Sequence, residues 1–157
     1  MMPSLSPVTV TGVISSSLAA GTIFTFSFTG VSTAQLAVHE STRLAAQQWV
    51  HVHRKSHNLG TPLIVLSEVC FGLVTAQKQS QQLLTAATAC MGIVPYTIVA
   101  LKGPEMVLFA AADSECQARS AYSTRDIQTA LARWGTLNLV RTIFPLLGSF
   151  LAISIFV

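Results

Sequence analysis

The sequence predicts an all-α fold, an integral membrane four-helix bundle with two long, partly helical connections on one side. Three observations predict it. Only 10% of the 157 residues are charged, 9 Lys or Arg and 6 Asp or Glu, against about 25% in soluble domains. Hydrophobic residues make up 51%, although a small soluble domain needs proportionally more polar surface than a large one. Finally, no charged side chain precedes Glu40, and four apolar stretches follow one another at 8–31, 59–76, 83–101 and 135–157. Each is close to the roughly 20 residues that cross a hydrocarbon core as a helix. Residues 1–157 therefore read as a single transmembrane domain. The same arithmetic argues against an ordinary soluble enzyme, a disordered chain or a nucleic-acid binder: the net charge of +3 reflects few acids, with no basic tract.

The first stretch is diluted by Thr9, Thr11, Ser15, Ser16 and Ser17. Such hydroxyls can bond the carbonyls of their own helix. A signal peptide needs a basic leading region, and residues 1–7 hold no Lys or Arg, so a retained helix is expected. The second stretch carries Glu68, the third no charge and the fourth Arg141. The short connection 77–82 makes the second and third helices an antiparallel hairpin. The long connections, 32–58 and 102–134, must then share a side. They hold Arg43, Arg54, Lys55, Lys102, Arg119, Arg125 and Arg133, against Lys78 opposite. The positive-inside rule places them in the cytosol and both termini in a lumen, as in a multi-pass protein of the endoplasmic reticulum or another endomembrane.

Both connections read as partly helical. Residues 33–57 contain no Gly or Pro, and Ser123 with Asp126 fits a capping box that starts a helix running through Leu131 and Trp134 into the fourth span. Trp49, Tyr122 and Trp134 suit the aromatic belt at a membrane interface. Cys70, Cys90 and Cys116 have no ligand spacing and read as structural.

Helix 4 has the sharpest pattern. Trp134, Asn138, Arg141, Pro145, Gly148 and Ala152 recur at helical spacing and share one face. An arginine inside a span faces the bundle or a wet cavity, because lipid exposure is costly; alternatively Arg141 reaches to the headgroups. Glu68, the one acid inside a span, can pair with Arg141 or accept a proton. All four histidines lie between His39 and His57, with His51, His53 and His57 as an H-x-H-x3-H string. On a helix His53 and His57 are neighbours. They suit an acid or base near neutral pH, whereas a metal on this run lacks a second ligand cluster and stays open. Pro95, followed by Tyr96 and Thr97, kinks the third helix and can open a cavity.

Together, Trp49 followed by His57 and Pro62, then Pro95, Tyr96 and Thr97, then Trp134-x3-Asn138-x2-Arg141 resemble the fungal anthrone oxygenase-like family, small four-helix membrane proteins of polyketide pathways. The resemblance runs from about Thr29 to Gly148. The chain departs from the family pattern at Pro104 and Glu105, and at His53 and Ser56. The resemblance implies an oxygenase that turns an anthrone into an anthraquinone, with O2 as co-substrate and neither metal nor flavin. The chemistry is self-consistent. An anthrone's central CH2 is acidic because its conjugate base is an aromatic phenolate, and that carbanion reduces O2 directly. The protein supplies a base, oxyanion donors and an apolar pocket. On that reading His57 is the base, and Asn138 and Arg141 stabilise the oxyanion. Trp49, His53, Glu68, Tyr96 and Trp134 bind a small aromatic or polyketide substrate at the bilayer. Two other readings remain: a cofactor-free isomerase or cyclase of a polyketide or terpenoid intermediate, separable by oxygen consumption, and a non-catalytic membrane scaffold in which Glu68 and Arg141 pair structurally.

Overall fold

A computed structural model describes residues 6–113 and 122–154. Cys116 and Arg119, used above, lie outside the described residues. Four helices run through the described chain: α1 (Pro7–Ala37), α2 (Thr42–Lys78), α3 (Gln81–Ala112) and α4 (Thr124–Ile153), each long and apolar enough to cross a membrane. Among the described residues there is no strand, so the all-α expectation holds.

The helices outrun the apolar stretches that announce them. At 30 to 37 residues they are about 45–55 Å long, against a hydrocarbon core of about 30 Å. The two long connections are therefore mostly helix, reduced to the turn 38–41 and the segment 113–123. Both lie at one end of the bundle, called here the loop end. The α2–α3 hairpin marks the other.

Local chemistry sets the boundaries. Pro7 opens α1 and the Ser6 hydroxyl accepts the Thr9 N–H, an orphan donor of the first turn. Ser41 and Ser80 do the same for Leu44 and Leu83. Ser123 and Asp126 form the expected reciprocal capping box. Between α2 and α3, Gln79 takes a left-handed conformation at φ 49° and turns the chain back. The Ser and Thr hydroxyls of α1 bond their own helix as anticipated, with Thr22, Thr25, Thr29 and Thr33 each donating to the carbonyl four residues earlier.

In the ring of helices, α1 packs on α2 and α4, and α3 packs on the same two. Close approach rests on small residues, as in membrane bundles, where lipid removes the hydrophobic incentive and van der Waals fit decides. A Cβ at Gly148 would overlap the Cys90 sulfur, and one at Gly12 would stand 2.8 Å from the Phe71 ring. Cys70 and Cys90 are buried free thiols, in keeping with a structural role.

Three irregularities shape the loop-end half. A π-turn spans Phe26–Gly30 in α1 and another spans Thr97–Leu101 in α3. Pro145 has no N–H for the carbonyl of Arg141, and α4 loosens there, between Arg141 and Ile143. Pro104 follows the second π-turn within two residues of Leu101. The carbonyl its ring would strike, that of Ala100, lies inside the widened turn, so α3 runs on through Pro104 instead of stopping.

Candidate active site

Helix α4 turns its predicted stripe inward. Trp134, Asn138, Pro145, Gly148 and Ala152 are buried and Arg141 is half-buried. At the loop end this stripe meets side chains from α2 and α3. The Trp49 ring lies edge-on to Trp134 at 5.4 Å and to Phe109 at 5.1 Å. His53, one turn further along α2, sits among the same rings, 5.1 Å from Trp49, 5.4 Å from Phe109 and 6.1 Å from Trp134. These edge-to-face spacings are the ones that aromatic quadrupoles favour.

Glu105 from α3 closes the group. Its Oε1 accepts the Trp134 Nε1–H at 3.3 Å and lies 3.7 Å from His53 Nδ1. The second distance is a charge contact and not a hydrogen bond. It leaves His53 Nε2 as the nitrogen turned away from the acid.

A polar relay runs below. Arg141 Nη1 donates to Asn138 Oδ1 at 3.4 Å, Asn138 Nδ2 donates to Ser27 Oγ at 2.8 Å, and Ser27 Oγ donates to the Ile23 carbonyl at 2.6 Å. Asn138 and Ser27 are buried. The relay ends in the π-turn of α1, which carries Ser27. Arg141 also interacts electrostatically with both His53 and Glu105, so the guanidinium of α4 is shared with α2 and α3. Two buried donors in this cluster, Arg141 Nε and Trp49 Nε1, have no acceptor. Buried polar groups are nearly always paired, so the cluster is short of an acceptor.

The remaining residues singled out above fall around this centre. His57 is exposed. Its ring stacks on His53 at 6.4 Å and its Nδ1 lies 3.3 Å from Thr61 Oγ1. Tyr96 donates from Oη to the Leu137 carbonyl at 2.9 Å and packs on Phe144 at 5.3 Å, bracketing Arg141 along α4. Glu68 lies apart, near Cys90, with a buried Oε1 that has no partner. It forms no ion pair with Arg141; the acid that reaches the arginine is Glu105. Among the described residues no three His, Cys, Asp or Glu side chains are grouped to hold a metal. Clefts flank the cluster: one of about 430 Å³ is bordered by Val50, Arg54 and Phe109, and one of about 290 Å³ between α1 and α4 reaches Ser27.

Glu105, Phe109 and Ser27 were not anticipated. The first two lie beyond the apolar stretch 83–101, after Gly103 and Pro104, which read as a helix stop. Ser27 is one hydroxyl among many in α1. A signal for Glu105 did exist: it is the only acid between Glu68 and Asp113.

A family model described as anthrone oxygenase matches residues 49–151, which contains every site residue named here except Ser27. The chain is similar to the anthrone oxygenase ptaC of Pestalotiopsis fici, 27% identical over 116 residues that cover 69% of this chain and 82% of that protein. It is also similar to a noranthrone monooxygenase of Aspergillus flavus, 27% identical over 118 residues that cover 70% of this chain and 56% of that protein. The match thus spans little more than half the length of the second relative. No solved structure matches.

Proposed function

Because this chain belongs to the anthrone oxygenase family, we propose that it is a membrane-embedded oxygenase oxidising an anthrone-like polycyclic phenol of a polyketide pathway to the quinone, without metal or flavin. The observation that carries this reading is the pair of orphaned donors, Trp49 Nε1 and Arg141 Nε, beside a histidine held between three aromatic rings and a carboxylate. A flat phenolate supplies the missing acceptor and fits aromatic walls.

The chemistry then follows. His53 Nε2 removes a proton from the central CH2, and the negative charge delocalises onto the carbonyl oxygen. Arg141, steadied by Asn138, and the Trp49 N–H stabilise that oxyanion, a task for which donors fixed in advance are most effective. The carbanion passes an electron to O2, and the two radicals combine into a hydroperoxide on the same carbon. Loss of the second C–H proton with cleavage of the O–O bond gives the ketone and water. One CH2 and one O2 become one C=O and one H2O. Glu105 holds the His53 imidazole in place and balances its charge while it carries the proton. The sequence expectation gave the base role to His57; the geometry favours His53, because it has the orienting acid and the aromatic enclosure.

Orientation follows the charges. Arg43, Arg54, Lys55, Lys102, Arg125 and Arg133 belong to the loop-end half of the bundle, and Lys78 to the hairpin. By the positive-inside rule the loop end faces the cytosol.

The test is oxidation of a hydroxyanthrone under 18O2 by chelator-treated protein, corrected for spontaneous oxidation. The expected result is one label in the new carbonyl and one O2 consumed per quinone. Turnover with neither oxygen uptake nor label would replace this reading with the isomerase or cyclase.

A further inference from the structure

The ring of helices is not equally tight all round. Helix α2 packs on 81–91 of α3 and again on 102–112, and only sparsely on 93–101 between them. That uncovered part of α3 holds Pro95 and the π-turn Thr97–Leu101, two features that bend or widen a helix. The gap has a floor and a ceiling. Ile23, Ile64 and Ile93 belong to one buried cluster on the hairpin side, and the Trp49–Phe109 contact closes the loop side. Between them His53 and Glu105 keep 22% and 21% of their side-chain surface open, and Arg141, from the far helix α4, is only half-buried. An arginine in the third turn from the end of a bundle helix reaches open space here because α2 and α3 part in front of it.

The height of the gap decides what it faces. The apolar stretch of α2 begins at Leu59, that of α3 ends at Leu101 and that of α4 begins at Gly135. His53, Glu105 and Trp134 lie just outside those limits and Arg141 just inside. The opening therefore straddles the boundary between hydrocarbon and headgroups, with exposed Val94 and Ile98 on the neighbouring surface of α3. A solute that rests at this depth has a flat apolar body in the chains and an ionisable hydroxyl at the headgroups.

We propose that the gap between α2 and α3 is a lateral entrance, through which a flat phenolic substrate passes from the membrane to the His53–Glu105–Arg141 group without entering bulk water. This rests on the oxygenase reading for the identity of the substrate, but its test measures binding and not turnover. The two tryptophans of the chain, Trp49 and Trp134, both belong to the site, so intrinsic fluorescence reports occupancy there. Wild-type protein in phosphatidylcholine vesicles is titrated with a hydroxyanthraquinone, a quinone that needs no oxidation, at several lipid concentrations. Entry from the membrane makes the quenching curves coincide when plotted against probe per lipid. Curves that coincide against aqueous probe instead, or an absence of quenching, overturn the entrance. Ala100→Phe, half-buried in the uncovered segment, is expected to weaken quenching severalfold, whereas Leu36→Phe on exposed α1 leaves it unchanged. Equal weakening by both variants also overturns the proposal. A loss of oxygen-dependent turnover with quenching intact removes the oxygenase reading and leaves the entrance standing.

Discussion

His53 Nδ1 faces Glu105 Oε1 at 3.7 Å, and the same carboxylate oxygen holds the Trp134 indole N–H at 3.3 Å. One oxygen thus fixes an imidazole from α2 and an indole from α4 against each other. Neither helix's own sequence brings them together; the acid on α3 does.

Glu105→Gln keeps the shape and can still accept from Trp134, but it removes the charge opposite His53. The expected outcome is intact folding with turnover lowered by about 10²-fold, the scale at which slight misplacement of a reacting group is felt. Substrate binding by tryptophan quenching should change little. Comparable loss of binding and turnover would assign Glu105 to binding instead.

His53→Ala and His57→Ala separate the two histidines. Loss of a general base costs roughly 10²- to 10⁴-fold, and we expect that loss at His53. The exposed His57 should give a much smaller change. Steady-state rates with one hydroxyanthrone decide between them, and the reverse order would return the base to His57.

Asn138→Ala leaves the buried Ser27 hydroxyl without its donor and frees Arg141. Stranding a buried polar partner costs about 1–3 kcal/mol, and losing a fixed oxyanion support costs roughly 10²- to 10³-fold in kcat. Both are expected, as a lower unfolding midpoint in detergent and a lower kcat. Ser27→Ala should share part of the stability loss and little of the rate loss.

Gly148→Ala tests the packing of α3 on α4. The added methyl group collides with the Cys90 sulfur and lies 3.2 Å from the Ala86 carbonyl. Overpacking of this kind costs about 1–3 kcal/mol. Cys90→Ala in the same chain should recover most of it, and additive effects in the double mutant would mean that the sulfur is not the obstacle.

The sequence was most informative where its signals are periodic. The inward stripe of α4 could be read from Trp134 to Ala152 because an unbroken 3.6-residue repeat carries it. Ser123 and Asp126 could be read as a cap because both partners are local. Glu105 was hidden for a physical reason. A π-turn holds one residue more than the α-helical count, so facing predicted from Tyr96 or Thr97 is rotated by about 100° beyond Leu101. Pro104, a stop in a regular helix, is accommodated by that same turn. Glu68 shows the opposite error: its charge inside a span attracted a role, but helix pairing left it near Cys90, away from the other polar groups.

The two π-turns bear on the ancestry of the fold. Such a turn is what a bundle helix becomes when one residue is inserted and its packed ends cannot move. Removing a residue from 97–101 would restore an ordinary helix and swing Glu105 away from His53, with the apolar repeat of 81–91 undisturbed. A single codon at that position therefore separates a generic four-helix membrane bundle from one that has a carboxylate beside its histidine, and lineages on either side of that event could share the fold without sharing the chemistry.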